Sequence, residues 1–291
     1  MILVTPMQLE RAYRQLKQVL VRDPLARGQA PAITGVGLIW NATDGVRLEV
    51  RAANNYQAAR AYHAAIRYTG VAPYLVRAVA APLAQAQFQM LAGDAIGHPR
   101  CMCYGTLGAF LVARGKQTLA LSNSHVLGLA GHAKPGDPIF DRYGNHVGSL
   151  FKATKLSARR VQRVDAALAL LNNNVQPAFA GTFGTQEATL GDQVYKDGAS
   201  TARTFGTITS TSYTLAVNVN GQPTWFDDQL VIEANPIEKF STSGDSGSLI
   251  RHAFGGQPAL GLLFAGDEQP IDLFYRTYAN PIHAVFEELK K

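Results

Sequence analysis

Cysteine is scarce: Cys101 and Cys103 are the only two in 291 residues. Two cysteines make no disulfide framework. Two positions apart they point to the same side of a strand, where a bond between them would be strained. Zinc needs about four ligands, and no second Cys or His pair stands at finger spacing. The pair therefore reads as two reduced thiols near the start of a strand, which fits a reducing compartment. Long apolar runs are absent too. No stretch approaches the ~20 residues of a membrane span, and Met1 to Leu20 lacks a basic segment followed by an apolar one, as a secretory signal has. The expectation is a cytoplasmic protein with no membrane contact. Acidic surplus is missing as well, since the net charge is +6. The basic residues are scattered, however, and the densest run is Arg159, Arg160 and Arg163 after Lys152 and Lys155. No basic stripe with interleaved aromatics appears, so nucleic acid is not an expected partner.

What remains is an ordinary globular chain, 47% hydrophobic and 16% charged. Thr5-Pro6 reads as an N-cap followed by proline at the first helical position. Leu9, Tyr13, Leu16 and Leu20 follow at helical spacing, and the helix is expected to end before Arg22-Asp23-Pro24. Its apolar stripe suits its own chain better than a partner, although self-association or an activating partner at this N-terminal region stays open. Ile33–Trp40 and Val46–Val50 flank Asp44-Gly45, a hairpin turn. The Ala-rich Tyr56–Ile66 reads as helix and Pro73–Val79 as strand. A small α+β unit with the N-terminal helix thus covers 1–92, and its only histidine, His63, has no evident catalytic partner.

From Gly93 the texture becomes short strands and Gly, Asn, Asp and Ser turns, expected at 107–112, 118–122, 164–171, 193–196 and 206–211, then at 230–234, 248–251, 259–264 and 274–277. This is the pattern of β-barrels or a sandwich. Asn280-Pro281 then opens a second capped helix carrying Ile282, Val285, Phe286 and Leu289.

The chemistry starts at Gly244-Asp245-Ser246-Gly247-Ser248. Glycines on both sides of a serine permit a tight turn that presents its hydroxyl. The same turn can aim the N–H groups of Gly244 and Ser246 at one point, as an oxyanion hole requires. Alone, the run could equally be a surface turn. Serine needs a base at neutral pH, and His125 is the candidate, because Leu119–Ser124 leads into it as a strand ending in a polar corner. His132 and His146 lie in Gly-rich loops. A metal site of His125, His132 and Asp141 matches no helix or strand register, and no metal or other cofactor is expected. Asp165 opens an apolar run, 164–170, where a buried acid needs a partner such as a His N–H. Asp141 is the alternative acid. The order His125, Asp165, Ser246 is not that of the α/β-hydrolases, in which Ser comes first, and Ser248 breaks their Gly-x-Ser-x-Gly elbow.

Gly105-Thr106-Leu107-Gly108, Leu119–Leu127, Val164–Ala169 and Gly244–Ile250 together resemble the motifs of chymotrypsin-fold serine peptidases. Three further segments resemble the NARROW LEAF-type peptidases and their bacterial trypsin-like relatives. These are Leu121-Ser122-Asn123-Ser124-His125-Val126, the pair Val194–Thr201 and Phe205-Gly206-Thr207, and Gly261–Gly266. Thr34-Gly35-Val36-Gly37 looks like the leader of those proteins, so the likeness spans about 30–286. Asp197-Gly198-Ala199-Ser200 departs from their Gly-Arg-Thr-Thr type of run, with an expected effect on the cleft wall.

The resemblance implies a mainly β peptidase domain over 93–291: two six-stranded barrels, about 93–175 and 176–279, before the C-terminal helix 280–290. It implies Ser246 as nucleophile, His125 as base and Asp165 as orienting acid, acting on a protein or peptide substrate. It also implies a primary pocket walled by Phe240, Ser241, Thr242, Ser243, Phe264, Ala265 and Gly266. Phe240 stands where a trypsin-like enzyme carries its acid, so an apolar or small side chain is the expected preference. Asp245 raises the question of activation, because in secreted relatives this acid pairs with a new N-terminus. The expected role is regulated, limited proteolysis. An esterase with the same triad, or a silent peptidase-fold scaffold that binds peptides, remains as an alternative.

Overall fold

The computed structural model describes residues 6–41, 45–81, 84–86, 95–100, 104–112, 117–172, 175 and 184–290. Thr5, Asp44, Gly93, Cys101 and Cys103 lie outside the described residues. The helix Pro6–Lys17 buries Leu9, Tyr13 and Leu16 against its own chain, on Val36, Leu48, Val50, Ala61 and Ala65. Each such buried leucine contributes about 1.5–3 kcal/mol. The Tyr13 hydroxyl shares a hydrogen bond with Thr214 (2.9 Å), and Lys17 pairs with Asp227 at 2.9 Å. The helix does not stop before Arg22. It widens into a π-turn, Gln18–Arg22, and continues as Asp23–Ala26 with Pro24 in its first turn. A proline lacks an N–H and crowds the carbonyl four residues back, and a first turn preceded by a wide one accommodates both.

The strands Gly35–Asn41 and Gly45–Ala52 pair antiparallel, the helix Asn55–Thr69 crosses over, and Val76–Ala80 returns parallel to Gly45–Ala52. Asn54 caps that helix through Gln57 N–H (2.9 Å), and Gly70, at φ 63°, ends it. Pro73–Leu75, expected as strand, forms a 3-10 turn ahead of it. The unit joins the rest of the chain by strand pairing, Gly35↔Leu215 and Gly37↔Tyr213. A Cβ on Gly37 would overlap the Tyr213 ring, so the close approach requires glycine there.

Tyr213 belongs to a closed six-stranded ring. Its order is Gln193–Gly198, Leu249–His252, Ala259–Gly266, Arg276–Pro281, Gln222–Glu233 and Ala202–Val219, which pairs back to Gln193–Gly198. The second sheet runs Gly105–Thr106, Ala95–Gly97, Pro138–Asp141, His146–Ala153, Ala167–Leu171, Thr118–Ser122 and Ala109–Val112. Its first and last members are one strand broken at Leu107-Gly108, so six strands make this ring too. The architecture is mainly β, two chymotrypsin-like barrels behind an N-terminal helix and a small α+β unit. The C-terminal helix Ile282–Lys290 packs Ile282, Val285 and Leu289 between the barrels, on Leu119, Val164 and Leu262. No helix among the described residues is long and apolar enough to cross a membrane.

Candidate active site

Strand Thr118–Ser122 ends at Asn123, whose extended backbone (φ −84°, ψ 155°) turns the chain into a single helical turn, Ser124–Leu127. His125 sits in that turn. Its Nδ1 is hydrogen-bonded to Oδ2 of Asp165, and its backbone N–H donates to Oδ1 at 3.1 Å. One carboxylate therefore fixes both the ring and the backbone of the histidine. A ring that donates from Nδ1 keeps its Nε2 lone pair for accepting a proton.

Asp165 lies just ahead of the strand Ala167–Leu171 rather than inside it. Its carbonyl accepts from Asn123 Nδ2 (2.7 Å), and its N–H donates to Asn280 Oδ1 (3.0 Å). Asn280 in turn donates to Gln229 Oε1 (2.5 Å). The expected helix cap at Asn280 is thus corrected: its side chain is committed to the backbone of Asp165, across the interface between barrels.

Gly244 and Gly247 both take φ 96°, the left-handed region that glycine tolerates, and Ser246 stands between them. The Ser246 carbonyl accepts from Thr106 N–H (2.6 Å), and Thr106 Oγ1 donates to Gly244 O (2.8 Å). Gly105 has room for no side chain, since a Cβ would strike both the Ser246 carbonyl and Val126, the neighbour of His125. Gly247 is pressed likewise on Ser122 and Thr106. The serine turn of the second barrel thereby docks on the end of the histidine strand of the first. The Ser246 hydroxyl donates to Phe264 O at 3.4 Å. Ser246 and His125 are 0% and 1% exposed, a closed arrangement.

Asp245 is buried with the ammonium of Lys196, Nζ to Oδ2 3.3 Å. Its Oδ1 accepts from the N–H groups of Ser200 (3.0 Å) and Thr201 (3.1 Å), and its Oδ2 from Thr242 N–H (2.9 Å) and Thr201 Oγ1 (2.7 Å). The turn Asp197–Ser200, expected at the cleft wall, therefore cradles the acid beside Ser246. A Cβ on Gly198 would overlap Asp245 Oδ1. Burial pushes the Lys196 ammonium below its usual range, and Asp245 pulls it back up. Lys196, Thr106, Asn123 and Asn280 are the positioning groups that sequence reasoning missed.

Of the expected pocket residues, Phe240 turns its ring into the core of the second barrel, among Val194, Ile208 and Ile232. Ser241 Oγ shares a hydrogen bond with Thr277 Oγ1 (2.6 Å). Thr242 and Ser243 bind the Asp245 cradle, the latter through its carbonyl to Ser200 Oγ. Phe264 packs on Phe226, ring centroids 4.6 Å apart. Ala265 and Gly266 end their strand, followed by Asp267.

Behind these residues is a buried charge network. Glu49 takes two bonds from Arg276, one of 2.8 Å, and one from Tyr213 (2.9 Å). Arg51 binds Asp267 (3.0 Å) and Tyr278. Burial alone would raise the Glu49 carboxyl, but the charges of Arg276 and Arg51 hold it below its usual range. Burial lifts Asp267 above its own.

No family model matches the chain, and neither does any curated protein. Solved structures do. A glutamic acid specific serine protease superposes with a TM-score of 0.50 at 20% identity, over 69% of this chain and 97% of that one. Thermobifida fusca Protease A gives 0.48 at 19%, covering 69% and 96%. The Nocardiopsis protease gives 0.47 at 17%, again 69% and 96%. At 20% identity the first of these likenesses is one of architecture alone, and that architecture is the chymotrypsin-like pair of barrels.

Proposed function

We propose that the chain is a serine endopeptidase, with residues 93–291 as its catalytic domain after the 1–92 region. The observation that carries the reading is the buried His125–Asp165 pair of one barrel together with a serine of the other, set between two left-handed glycines and docked through Gly105 and Thr106 against Val126, the neighbour of His125. Ser246 Oγ attacks the carbonyl carbon of a peptide bond while His125 Nε2 takes the hydroxyl proton. The oxyanion forms toward the N–H groups of Gly244 and Ser246. His125 then gives the proton to the leaving amine, Asp165 stabilising the imidazolium throughout, and water releases the acyl group by the same steps.

The Ser241–Thr277 hydroxyl pair and the absence of an acid at Phe240 support a neutral, small or apolar side chain in the primary pocket. The Lys196–Asp245 pair supplies internally the cation that a new N-terminus supplies in secreted relatives, which supports a chain that needs no such cut to order its serine turn. Regulated, limited proteolysis is the role we favour, and the motifs at 121–126, 194–207 and 261–266 favour the NARROW LEAF-type subgroup. One observation favours a second reading, a peptide-binding scaffold: the Ser246 hydroxyl is buried and turned to Phe264 O.

Labelling by an alkyl fluorophosphonate separates the two readings. Wild type is expected to label, and Ser246→Ala and His125→Ala are expected not to. A folded wild type that stays unlabelled overturns the catalytic reading.

A further inference from the structure

Ala84–Ala86 is a strand that belongs to neither barrel nor the N-terminal hairpin. It pairs antiparallel with the end of Ala259–Gly266, Gly266↔Gln85 and Ala265↔Ala86. On its other side it pairs parallel with Ala202–Val219, Val217↔Ala84 and Asn218↔Gln85. Backbone pairing thus holds it along both edges.

Its direction is informative. From Gln85 to Ala86 the strand advances from Gly266 to Ala265, toward Phe264, whose carbonyl receives the Ser246 hydroxyl. A chain laid on this edge is aimed at the nucleophile. An extended peptide that reaches Ser246 along Ala265–Gly266 needs the same backbone groups, because strand addition draws its affinity from them. The other edge of Ala259–Gly266 is taken by Arg276–Pro281. One strand at a time can use the free side, and here the chain's own strand uses it. The burial of His125 and Ser246 is an independent sign of a closed site.

We propose that Ala84–Ala86 is a substrate-like strand that occupies the peptide groove in cis and keeps the enzyme latent until an extended peptide displaces it. The inference rests on the peptidase reading above and names the regulation of that site. A tethered strand acts at an effective concentration in the millimolar range, so a peptide in solution competes poorly.

The test uses two probes of Ser246 on the full chain. An alkyl fluorophosphonate needs only the nucleophile, whereas a tetrapeptidyl phosphonate also needs the groove. Gln85→Pro and Ala86→Pro each remove a backbone donor from the strand. The peptidyl-to-alkyl rate ratio is expected to rise at least about tenfold in both. It should fall again on adding a synthetic peptide of residues 80–90, and thermal melts verify that both variants fold. Equal ratios in wild type and both variants overturn the proposal. Should no form take either probe, the peptidase reading fails, and amide hydrogen exchange at Ala265 and Gly266 decides the occupancy. Faster exchange in both variants sustains the strand in the groove, and unchanged exchange overturns it.

Discussion

Replacing Lys196 by methionine tests how the serine turn is held. Both partners of the Lys196–Asp245 pair are 0% exposed, so the variant leaves a carboxylate buried without its cation. Breaking such a pair from one side costs about 3–5 kcal/mol. Asp245 keeps the three N–H donors of Ser200, Thr201 and Thr242 and the Thr201 hydroxyl, which sets the loss at the lower end, about 3 kcal/mol. For a chain of this size 1 kcal/mol moves the melting temperature about 2–4 °C, so a fall of about 6–12 °C is expected. Adding Asp245→Asn removes the orphaned charge, and the double variant should recover most of that loss. The Asp245 N–H and carbonyl also brace the turn through Thr242 and Ser248. Labelling of Ser246 should therefore slow even below the melt. Urea and thermal melts on the two single variants and the double complete the cycle. A Lys196→Met that melts within about 1 °C of wild type, with additive cycle energies, would refute the reasoning.

Asn280→Ala removes the acceptor for Asp165 N–H and should lower kcat about tenfold with little change in KM, read by steady-state kinetics on a peptide reporter. Gly198→Ala drives a methyl into Asp245 Oδ1 and should destabilise by about 1–3 kcal/mol in urea melts while abolishing labelling. Glu49 has a folded pKa held below its ordinary 4.5, so between those two values the unfolded chain binds the extra proton. Its contribution is complete above pH 4.5 and is lost as pH falls through the folded value. Glu49→Gln should thus be less stable at neutral pH, yet show a flatter loss of stability on acidification. Urea midpoints across about pH 3 to 5 read the slope, and parallel slopes would count against the network.

The local signals were legible where one element carried them. The stripe of Pro6–Lys17, the strand leading into His125 and the glycine-flanked Ser246 all rest on neighbours in sequence. The hairpin of the second barrel was legible and missed. Asn220-Gly221, at φ 51° and 79°, is a strong two-residue turn signal, yet only 206–211 and 230–234 read as strand where Ala202–Val219 and Gln222–Glu233 run. Polar residues such as Thr214, Asp227 and Gln229 broke the apolar pattern, because each is buried with a polar partner from a distant segment: Tyr13, Lys17 and Asn280. For the same reason Asn280 resembled a cap, and nothing near Lys196 in the sequence marked its partner. Their partners, Asp165 and Asp245, lie 115 and 49 positions away, and no local period encodes them.

The N-terminal region meets the candidate site by two routes, and strand geometry explains why they converge. Successive side chains of Arg276–Pro281 alternate in direction. Thr277 meets Ser241, one of the proposed pocket residues, while Arg276 and Tyr278 meet Glu49 and Arg51 of the N-terminal hairpin. The hairpin therefore braces, from behind, the strand that carries the proposed pocket residues' partner Thr277, and Arg51 also fixes Asp267, the residue that follows Gly266. The chain leaving that hairpin then supplies Ala84–Ala86 to the proposed pocket residues Ala265 and Gly266. Loosening the hairpin should disturb both contacts together, because each depends on the long strand Ala202–Val219. That strand pairs with Gly35–Asn41 at one register and with Ala84–Ala86 at the next. An opening signal delivered to the α+β unit would reach the groove through one continuous sheet, with no separate hinge required.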